Sequence, residues 1–195
     1  MARDKHGFRA ETWGDESRRM ADGYVHALTT IDGLHRMAHD GMVFHASGKV
    51  TGMINANVDE FLVAVPAVTF PHFQRFRITA GRGDIDVQVY EGTTTSADGT
   101  PITTQNTNRN STNTPSTVLT SAPTITDDGT LVHTSWMPPT GTGTGQSANG
   151  LVGETNGEEW ILKPATKYLV RITNNSGATI DYAYEMLWYE VSYDH

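Results

Sequence analysis

The sequence predicts an all-β protein: an antiparallel β-sandwich or jelly roll that follows an irregular or partly helical N-terminal arm. Two observations support this fold class. Apolar and polar residues alternate along many short segments, and Gly-containing turn sequences follow these segments at regular intervals. The alternation is clearest over 158–193. In the middle strand of that region, alternate residues should face opposite sides of a sheet: Tyr168, Val170 and Ile172 on one, and Leu169, Arg171 and Thr173 on the other.

The final predicted strand shows the same pattern over a greater length. Its two faces should carry Tyr182, Tyr184, Met186 and Trp188 on one side, and Ala183, Glu185, Leu187 and Tyr189 on the other. Period-2 placement over this length is typical of half-buried antiparallel strands. The predicted strands are Met42–His45, Val50–Asn55, Glu60–Val65, His72–Ala80, Asp84–Glu91, Thr130–Met137, Glu158–Leu162, Lys167–Asn174 and Thr179–Tyr193.

The chain divides into an arm, residues 1–40, and a sandwich domain, residues 41–195. The arm has few β-branched residues, and the i, i+4 spacing of Met20, Tyr24 and Leu28 indicates a short helix over 16–34, which Gly23 weakens. Two polar stretches, at about 93–117 and 140–150, interrupt the strands. They contain little apolar surface to offset the entropy of ordering, so we expect them to be long exposed loops.

Composition restricts the classes of partner and compartment. The chain has 195 residues, no cysteine and a formal net charge of −8. Negative charge opposes binding to a phosphate backbone, so no nucleic acid partner is expected. The longest apolar run, Phe61–Val68, is too short to span a membrane and contains Pro66. The charged N-terminus lacks the apolar core of a secretory signal. These features predict synthesis in a reducing cytoplasm and no membrane partner.

Three histidines near the end of the arm form the first candidate site. His35 and His39 are spaced to share a helix face, with Asp40 beside them and His45 a few residues further on. Such a set could hold zinc in a metal-assisted hydrolase. However, the segment lacks the Glu that follows the first His in the metalloprotease motif, and Gly33 and Gly41 leave little helix. A structural or surface role is therefore favoured.

Other titratable groups also favour structural roles. We expect His72 and His133 to be packed or hydrogen-bonded strand residues. Asp84 and Asp86, in the sequence GRGDID (81–86), should form a polar strand face after a turn, because calcium would require more converging oxygens. Neighbouring carboxylates on a strand point to opposite faces and make poor glycosidase pairs, as at Glu158–Glu159 and Asp127–Asp128. Sequons at Asn110 and Asn174 indicate little without secretion.

These considerations predict no enzyme, with no catalytic, cofactor-binding or metal-binding residue and no cofactor. Aromatic residues are the remaining signal, and all lie on predicted strands: Trp136, Trp160, Trp188, Tyr168, Tyr182, Tyr184 and Tyr189. One face of these should belong to the core. An exposed row would instead indicate a carbohydrate platform or a protein interface.

Three segments together resemble a family of tailed-phage proteins. They are YEGTTTSADGTPITTQNTNRNS (90–111), TDDGTLVHTSWMP (126–138) and EWILKPATKYLVRITNNSG with the later WYE (159–190). They resemble capsid decoration (cement) proteins, small virion proteins of the head-gene region. The segment GMVFHASGKVTGM (41–53) is consistent with the start of that domain. The resemblance covers about 41–190 and does not extend to the arm.

The resemblance implies a β-sandwich subunit, present in many copies on the outside of a capsid, that bridges major capsid protein subunits. It also implies a homo-oligomer, a dimer or trimer, located at the virion surface after synthesis in the host cytoplasm. Multivalent attachment would convert modest contacts into lattice stabilisation. The alternative is a module of the virion that binds a host surface or glycan through the polar loop of 93–117 and exposed Trp or Tyr residues.

Overall fold

The computed structural model describes residues 18–22, 25–29, 33–81, 83–139, 148–152 and 159–192. In this part of the chain, strands predominate and the one helix is short, which confirms the predicted all-β class. The elements in chain order are β1 (Arg18–Asp22), β2 (Val25–Thr29), α1 (Gly33–His39), β3 (Val43–Met53), β4 (Val58–Ala64), β5 (Thr69–Ala80), β6 (Ile85–Glu91), β7 (Thr94–Ala97), β8 (Thr100–Pro101), β9 (Gln105–Asn106), β10 (Val118–Ser121), β11 (Thr124–Asp127), β12 (Thr130–Met137), β13 (Ala148–Val152), β14 (Trp160–Ile161), β15 (Lys167–Asn174) and β16 (Ile180–Ser192).

Two antiparallel sheets form the sandwich. The first has the strand order β12-β6-β15-β4-β10-β8, and the second has the order β13-β5-β16-β3-β9, with β14 also paired to β5. Strands β12 and β13 are edge strands that lie close to each other, on one side of the sandwich. At the other edges lie the two-residue strands β8 and β9. Two further pairs, β1–β2 and β7–β11, form small separate sheets.

Alternate residues of both sheets meet in one apolar core. The predicted facing is confirmed on β15, where Tyr168, Val170 and Ile172 are core residues, and on β16, where Tyr182, Met186 and Trp188 are fully buried and Tyr184 packs against them. Trp188 stacks on Phe73 with ring centroids 5.4 Å apart and an interplanar angle of 8°. Burial of large side chains from both sheets holds the layers together.

A second, smaller buried layer lies on the outer face of the first sheet. Leu62 and Leu169 are buried, although their strand neighbours point into the main core, so these two residues face outward. Side chains from the segment around β7 and β11 reach the same face. Lys167 donates to Thr95 Oγ1 at 2.9 Å, and Thr120 donates to the carbonyl of Asp98. The β7–β11 sheet thus covers part of this face.

The structure corrects the strand boundaries near the start of the domain. Met42–His45 and Val50–Asn55 are predicted as separate strands, but β3 runs unbroken through Ser47 and Gly48. The physical reason is the Tyr184 ring opposite: a Cβ at Gly48 would lie 2.6–2.8 Å from it. A Cβ at Gly48 would therefore force the Tyr184 side chain to shift, which accounts for a glycine in the middle of this strand.

The polar stretch 93–117 also differs from the expected exposed loop. It contains β7, β8 and β9, and its residues Thr93, Asn106 and Thr117 are buried. Strands β10 and β11, which follow it, were not predicted. Side-chain hydrogen bonds order this segment in place of apolar burial. Of the predicted loop 140–150, residues 140–147 lie outside the described residues, and Ala148 begins strand β13.

The arm differs from the helix expected over 16–34. Strands β1 and β2 pair antiparallel there, with Arg18 opposite Thr29, and the helix begins only at Gly33. The two strands are separated in the sequence by Gly23 and Tyr24, and a helix-weakening Gly at that point favours a strand pair over a continuous helix. Residues 1–17 lie outside the described part of the chain.

Candidate interaction surface

The histidine cluster predicted as a metal candidate forms only in part. His35 and His39 share a face of α1, as their spacing predicts, with their Nε2 atoms 3.1 Å apart. Asp40 pairs with Arg36 at 3.8 Å, and His45 lies on β3. Among the described residues, no group of three or more His, Cys, Asp or Glu side chains is placed to hold a metal ion. The structure thus gives the zinc hypothesis no support.

His72 belongs to a hydrogen-bonded cluster on the outer face of the second sheet. Its Nδ1 lies 2.9 Å from Glu159 Oε1 and 3.0 Å from the Tyr189 hydroxyl, and its ring stacks on that of Tyr189 at 4.5 Å. Tyr189 and Gln74 both donate to Glu159. This confirms the prediction of a hydrogen-bonded strand histidine.

The hydrogen bonds and pKa values of this cluster favour a structural role over a catalytic one. Burial raises the pKa of Glu159, but hydrogen bonds from His72, Tyr189 and Gln74 outweigh it, so that the pKa lies below its ordinary value. Burial and the adjacent carboxylate raise the pKa of Tyr189 to about 12. A carboxylate with a lowered pKa and occupied oxygens is a weak base. The cluster ties Glu159 to β5 and β16.

Three further acidic candidates accept hydrogen bonds from neutral groups. Asp84 Oδ1 accepts a hydrogen bond from Trp136 Nε1 at 3.1 Å, and Asp86 Oδ2 accepts one from Asn175 at 2.8 Å. Asp127 accepts from the Gly129 amide at 2.8 Å in a local turn. Glu158 lies outside the described residues.

The two sequons differ in exposure. Asn174 is fully buried, and its amide donates to the carbonyls of Met53 and Ala178. Its Oδ1 accepts from Ser176. A glycan could not be attached to Asn174 without breaking this turn. Asn110 is exposed within the polar segment.

Arg171 holds a turn against the outer face of the first sheet. Its guanidinium donates two parallel hydrogen bonds to Asp128, both 2.7 Å, and one to Glu60 at 2.8 Å, and it lies 5.1 Å from the centre of the Tyr90 ring. The Arg171 hydrogen bonds lower the pKa of Asp128, and Asp128 and Glu60 raise that of Arg171. A planar, bidentate pair of this type fixes orientation as well as charge.

Glu190 is a second anchor and is buried with only 6% of its surface exposed. Its carboxylate accepts hydrogen bonds from the Ser116 amide at 2.8 Å, the Ser116 hydroxyl at 2.5 Å, the Thr117 amide at 2.9 Å and the Trp188 indole at 3.1 Å. Burial raises its pKa, but these donors lower it by more, so the group stays ionised. The end of the polar stretch is thereby fixed to β16.

Asparagine side chains fix the middle of the same stretch. Asn106 donates to the carbonyls of Gly41 and Asn113 at 2.8 and 3.1 Å, and Asn108 donates to the carbonyl of His39 at 2.9 Å. Residues 104–115 surround a polar concavity with a volume of about 360 Å³, which Arg109 helps to line. This concavity lies beside β9, at the sandwich edge opposite β12 and β13.

The aromatic residues divide between core and surface in a way that sequence could not assign. Trp188 is completely buried, Trp160 is half-buried with its ring 5.3 Å from that of His133, and Trp136 is 56% exposed. His133 lies inside β12, as predicted, and burial lowers its pKa. Trp136 shares edge strand β12 with the exposed residues Leu131 and Val132. This apolar edge, 131–136, is one candidate surface, and the polar concavity is the other.

Sequence reasoning missed the groups that organise these surfaces. Arg171 was recognised only as a residue facing away from the core, and Glu190 was not singled out. The signal that could have found them is the position of Arg171 within β15 and of Glu190 within β16. A charged residue inside a regular strand is buried only when it is paired or hydrogen-bonded, so each position predicts a partner. Their partners, Asp128 and Ser116, are far away in sequence and could not be deduced.

No protein-family model matches this chain, and no curated protein matches it significantly. In the described part of the chain, no helix has both the length and the apolar character needed to cross a bilayer.

Proposed function

We propose that this protein is a virion structural protein, a capsid decoration or cement protein that binds the outer capsid lattice and bridges major capsid protein subunits. It acts as a homo-oligomer at the virion surface, after synthesis in the host cytoplasm, and performs no catalysis. The proposal rests first on the resemblance of residues 90–111, 126–138 and 159–190 to that family.

The observation that carries the proposal is that these three segments meet on one face. Arg171 from the third binds Asp128 from the second with two hydrogen bonds of 2.7 Å. Lys167 from the third donates to Thr95 Oγ1 in the first at 2.9 Å, and Thr93 donates to the Asp128 carbonyl at 2.7 Å. The segments thus form one stapled surface.

A stapled surface suits lattice binding for an energetic reason. Association costs free energy for each loop or side chain that becomes ordered at the interface. Glu190, Asn106 and Asn108 already fix the polar stretch. Arg171 holds the turn at Asp128. The subunit would therefore lose little further conformational freedom on a capsid. Once one contact of an oligomer is made, its other subunits are held at a high effective concentration near their own sites, so the overall affinity exceeds that of a single contact.

The test uses purified shells that lack this protein. Added protein should co-sediment with the shells and should raise their resistance to heat and to low salt. Arg109→Glu, an exposed change on the polar stretch, should weaken binding at least tenfold, whereas Lys49→Glu, an exposed change on β3, should not. Shells that neither bind the protein nor gain resistance would refute the proposal.

A second candidate, glycan or host-surface recognition, is supported by the polar concavity of 104–115. Amide and hydroxyl side chains with one Arg are suitable donors and acceptors for sugar hydroxyls. Neither Trp188 nor Trp136 can contribute to this concavity, because Trp188 is buried and the exposed Trp136 lies at the opposite edge. Glycan-array binding that Arg109→Ala abolishes and Trp136→Ala preserves would favour this candidate.

A further inference from the structure

Two segments of the first sheet repeat each other in sequence and in structure. Residues 91–100 read EGTTTSADGT, and residues 121–130, which follow at a spacing of 30 residues, read SAPTITDDGT. Each segment leaves a strand of the first sheet, forms one strand of the small β7–β11 sheet, turns at an Asp-Gly pair and returns to the first sheet. Buried and exposed positions also coincide, except that Asp98 is exposed and Asp128 is half-buried. The two segments are therefore copies of one structural unit.

The strand pairing exchanges the two repeats, as a two-fold axis would. Thr130 on β12 lies opposite Glu91 on β6, and the equivalent residue Thr100 on β8 lies opposite Ser121 on β10. Strands β12 and β8 accordingly hold equivalent places at the two ends of the order β12-β6-β15-β4-β10-β8, and β6 and β10 do so one place further in. The first sheet therefore has a pseudo-two-fold axis between its central strands, β15 and β4.

Equivalent close contacts support the same symmetry. Gly99 and Gly129 both have positive φ angles, 89° and 86°. A Cβ at Gly99 would overlap the carbonyl oxygen of Ser121, and a Cβ at Gly129 would overlap that of Glu91. Each Asp-Gly turn thus packs in the same way against the start of the other repeat.

Residues near the axis pair with their own equivalents. Thr95 on β7 lies opposite Ile125 on β11, and these residues hold the same position in the two repeats. In the sheet beneath, Leu62 on β4 lies opposite Leu169 on β15, and both leucines are buried. The repeats therefore form a symmetric cap (residues 92–100 and 122–130) on the outer face of the first sheet.

The exposed face of the cap carries matched hydroxyl groups. Thr94 and Thr124 are equivalent residues, as are Ser96 and Thr126, and all four are exposed. Exposed positions usually tolerate substitution with little effect on stability. Folding therefore does not require the two repeats to keep the same chemistry on this face, whereas a partner that contacts both repeats would.

The charge of the cap decides between partners. The cap contains no Lys or Arg, and its carboxylates are Asp98, Asp127 and Asp128. Lys167 and Arg171 on β15 pair with two of them, whereas Asp127 is exposed and forms no ion pair within the described residues. Electrostatic complementarity therefore favours a basic surface as partner. A second copy of this chain, with its net charge of −8, is disfavoured there.

We propose that the cap binds a basic protein surface with two-fold symmetry, formed where two copies of one capsid protein meet at a local two-fold axis of the shell. This site rests on the function proposed above and specifies where on the lattice that function is carried out. Each repeat of the cap contacts one copy, so a single chain holds both copies through equivalent groups. Once one repeat is bound, the other is held at a high effective concentration beside the second copy. The subunits of a homo-oligomer would occupy separate local axes.

The contribution of each repeat is tested with purified shells that lack this protein. Ser96→Lys and Thr126→Lys place the same charge at equivalent exposed positions of the two repeats. Each should weaken binding to the shells by about tenfold, and by a similar factor, because the new charge faces a basic surface. Ser47→Lys, the same change at an exposed position of β3 in the second sheet, is the matched control and should bind as the natural chain does. Circular dichroism checks that each variant folds.

Electron cryo-microscopy of shells reconstituted with the natural chain gives an independent result. Density for this protein should lie on local two-fold axes with the cap toward the shell, and binding should saturate at one chain for every two capsid protein subunits. Shells that do not bind the natural chain would refute the proposed function together with this site. Binding with density away from the two-fold axes, or a loss confined to one of the two cap variants, would overturn the two-fold site alone.

Discussion

The buried carboxylate of Glu190 provides the most stringent test of how the polar stretch is held. In Glu190→Gln, one carboxylate oxygen becomes an amide NH₂ group. The oxygen that remains can still accept from Thr117 and Trp188, as Oε1 does now. The NH₂ group would then face the Ser116 amide, which is 2.8 Å from Oε2. Both Ser116 hydrogen bonds to the charged acceptor are lost, and the Ser116 amide remains an unsatisfied donor.

The expected cost follows from these two changes. A hydrogen bond to a charged group contributes about 1.5–3 kcal/mol, and an unsatisfied buried donor costs about 1–3 kcal/mol. Rotation of the Ser116 hydroxyl, which can accept from the new NH₂ group, offsets part of this. We therefore expect the free energy of unfolding to fall by about 3 kcal/mol. For a chain of this length, that corresponds to a decrease in Tm of roughly 6–12 °C.

The assay is urea denaturation of Glu190→Gln beside a matched variant, Glu185→Gln. Glu185 is on the same strand, but it is 40% exposed and paired with Arg75 at 3.1 Å. Partly exposed pairs contribute about 0–1 kcal/mol, so the control should lose much less stability. Limited proteolysis should in addition show earlier cleavage within 104–117 for Glu190→Gln.

The pH dependence supplies a second readout with a defined sign. Glu190 has a folded-state pKa below the ordinary 4.5, so it stabilises the fold above its unfolded pKa and loses this effect as pH falls through the folded pKa. The natural chain should lose stability below about pH 4.5, and Glu190→Gln should lose less over the same interval. Equal acid sensitivity of the two proteins, or a loss below about 0.5 kcal/mol at neutral pH, would refute the anchoring role.

Two further perturbations test the staple and the core. Arg171→Met should lower the free energy of unfolding by about 1–3 kcal/mol, because Glu60 and Asp128 lose their cation while partly shielded from solvent. The control Lys49→Met breaks an exposed pair and should cost about 0–1 kcal/mol, as measured by chemical denaturation of both variants. Trp188→Ala should lower the free energy of unfolding by about 3–5 kcal/mol because it leaves a cavity beside Phe73. Trp136→Ala should change the free energy of unfolding of the monomer by no more than about 0.5 kcal/mol, and similar losses for the two variants would contradict the assignment of core and surface.

Much of the sandwich could be predicted from local pattern. Strands β12 and β15 begin and end at the predicted residues, and β16 agrees within one residue at each end. The alternation on β15 and β16 identified the buried faces because each side of a strand reports its own environment. This reasoning was less effective at Gly48, where the need for glycine arises from Tyr184 on a neighbouring strand.

The candidate surfaces could be predicted only in composition. The polar stretch 93–117 contains too little apolar surface to be ordered by burial, and it is ordered by Glu190, Asn106 and Asn108 through partners distant in sequence. The sequence does not show which distant residue will lie within hydrogen-bonding distance and angle of a given side chain, because that depends on the folded geometry.

Local alternation in the sequence is enough to predict the fold class, the buried faces of the last strands, and the placement of His72 and His133 within strands, because these depend on period-2 patterning. The folded chain alone shows that Trp188 is core while Trp136 is surface, and that β12 lies at the edge of its sheet. It also shows that Glu190 fixes the end of the polar stretch and that Arg171 holds the turn at Asp128. Strand order and side-chain partners depend on which distant segments meet, and local alternation carries no information about that.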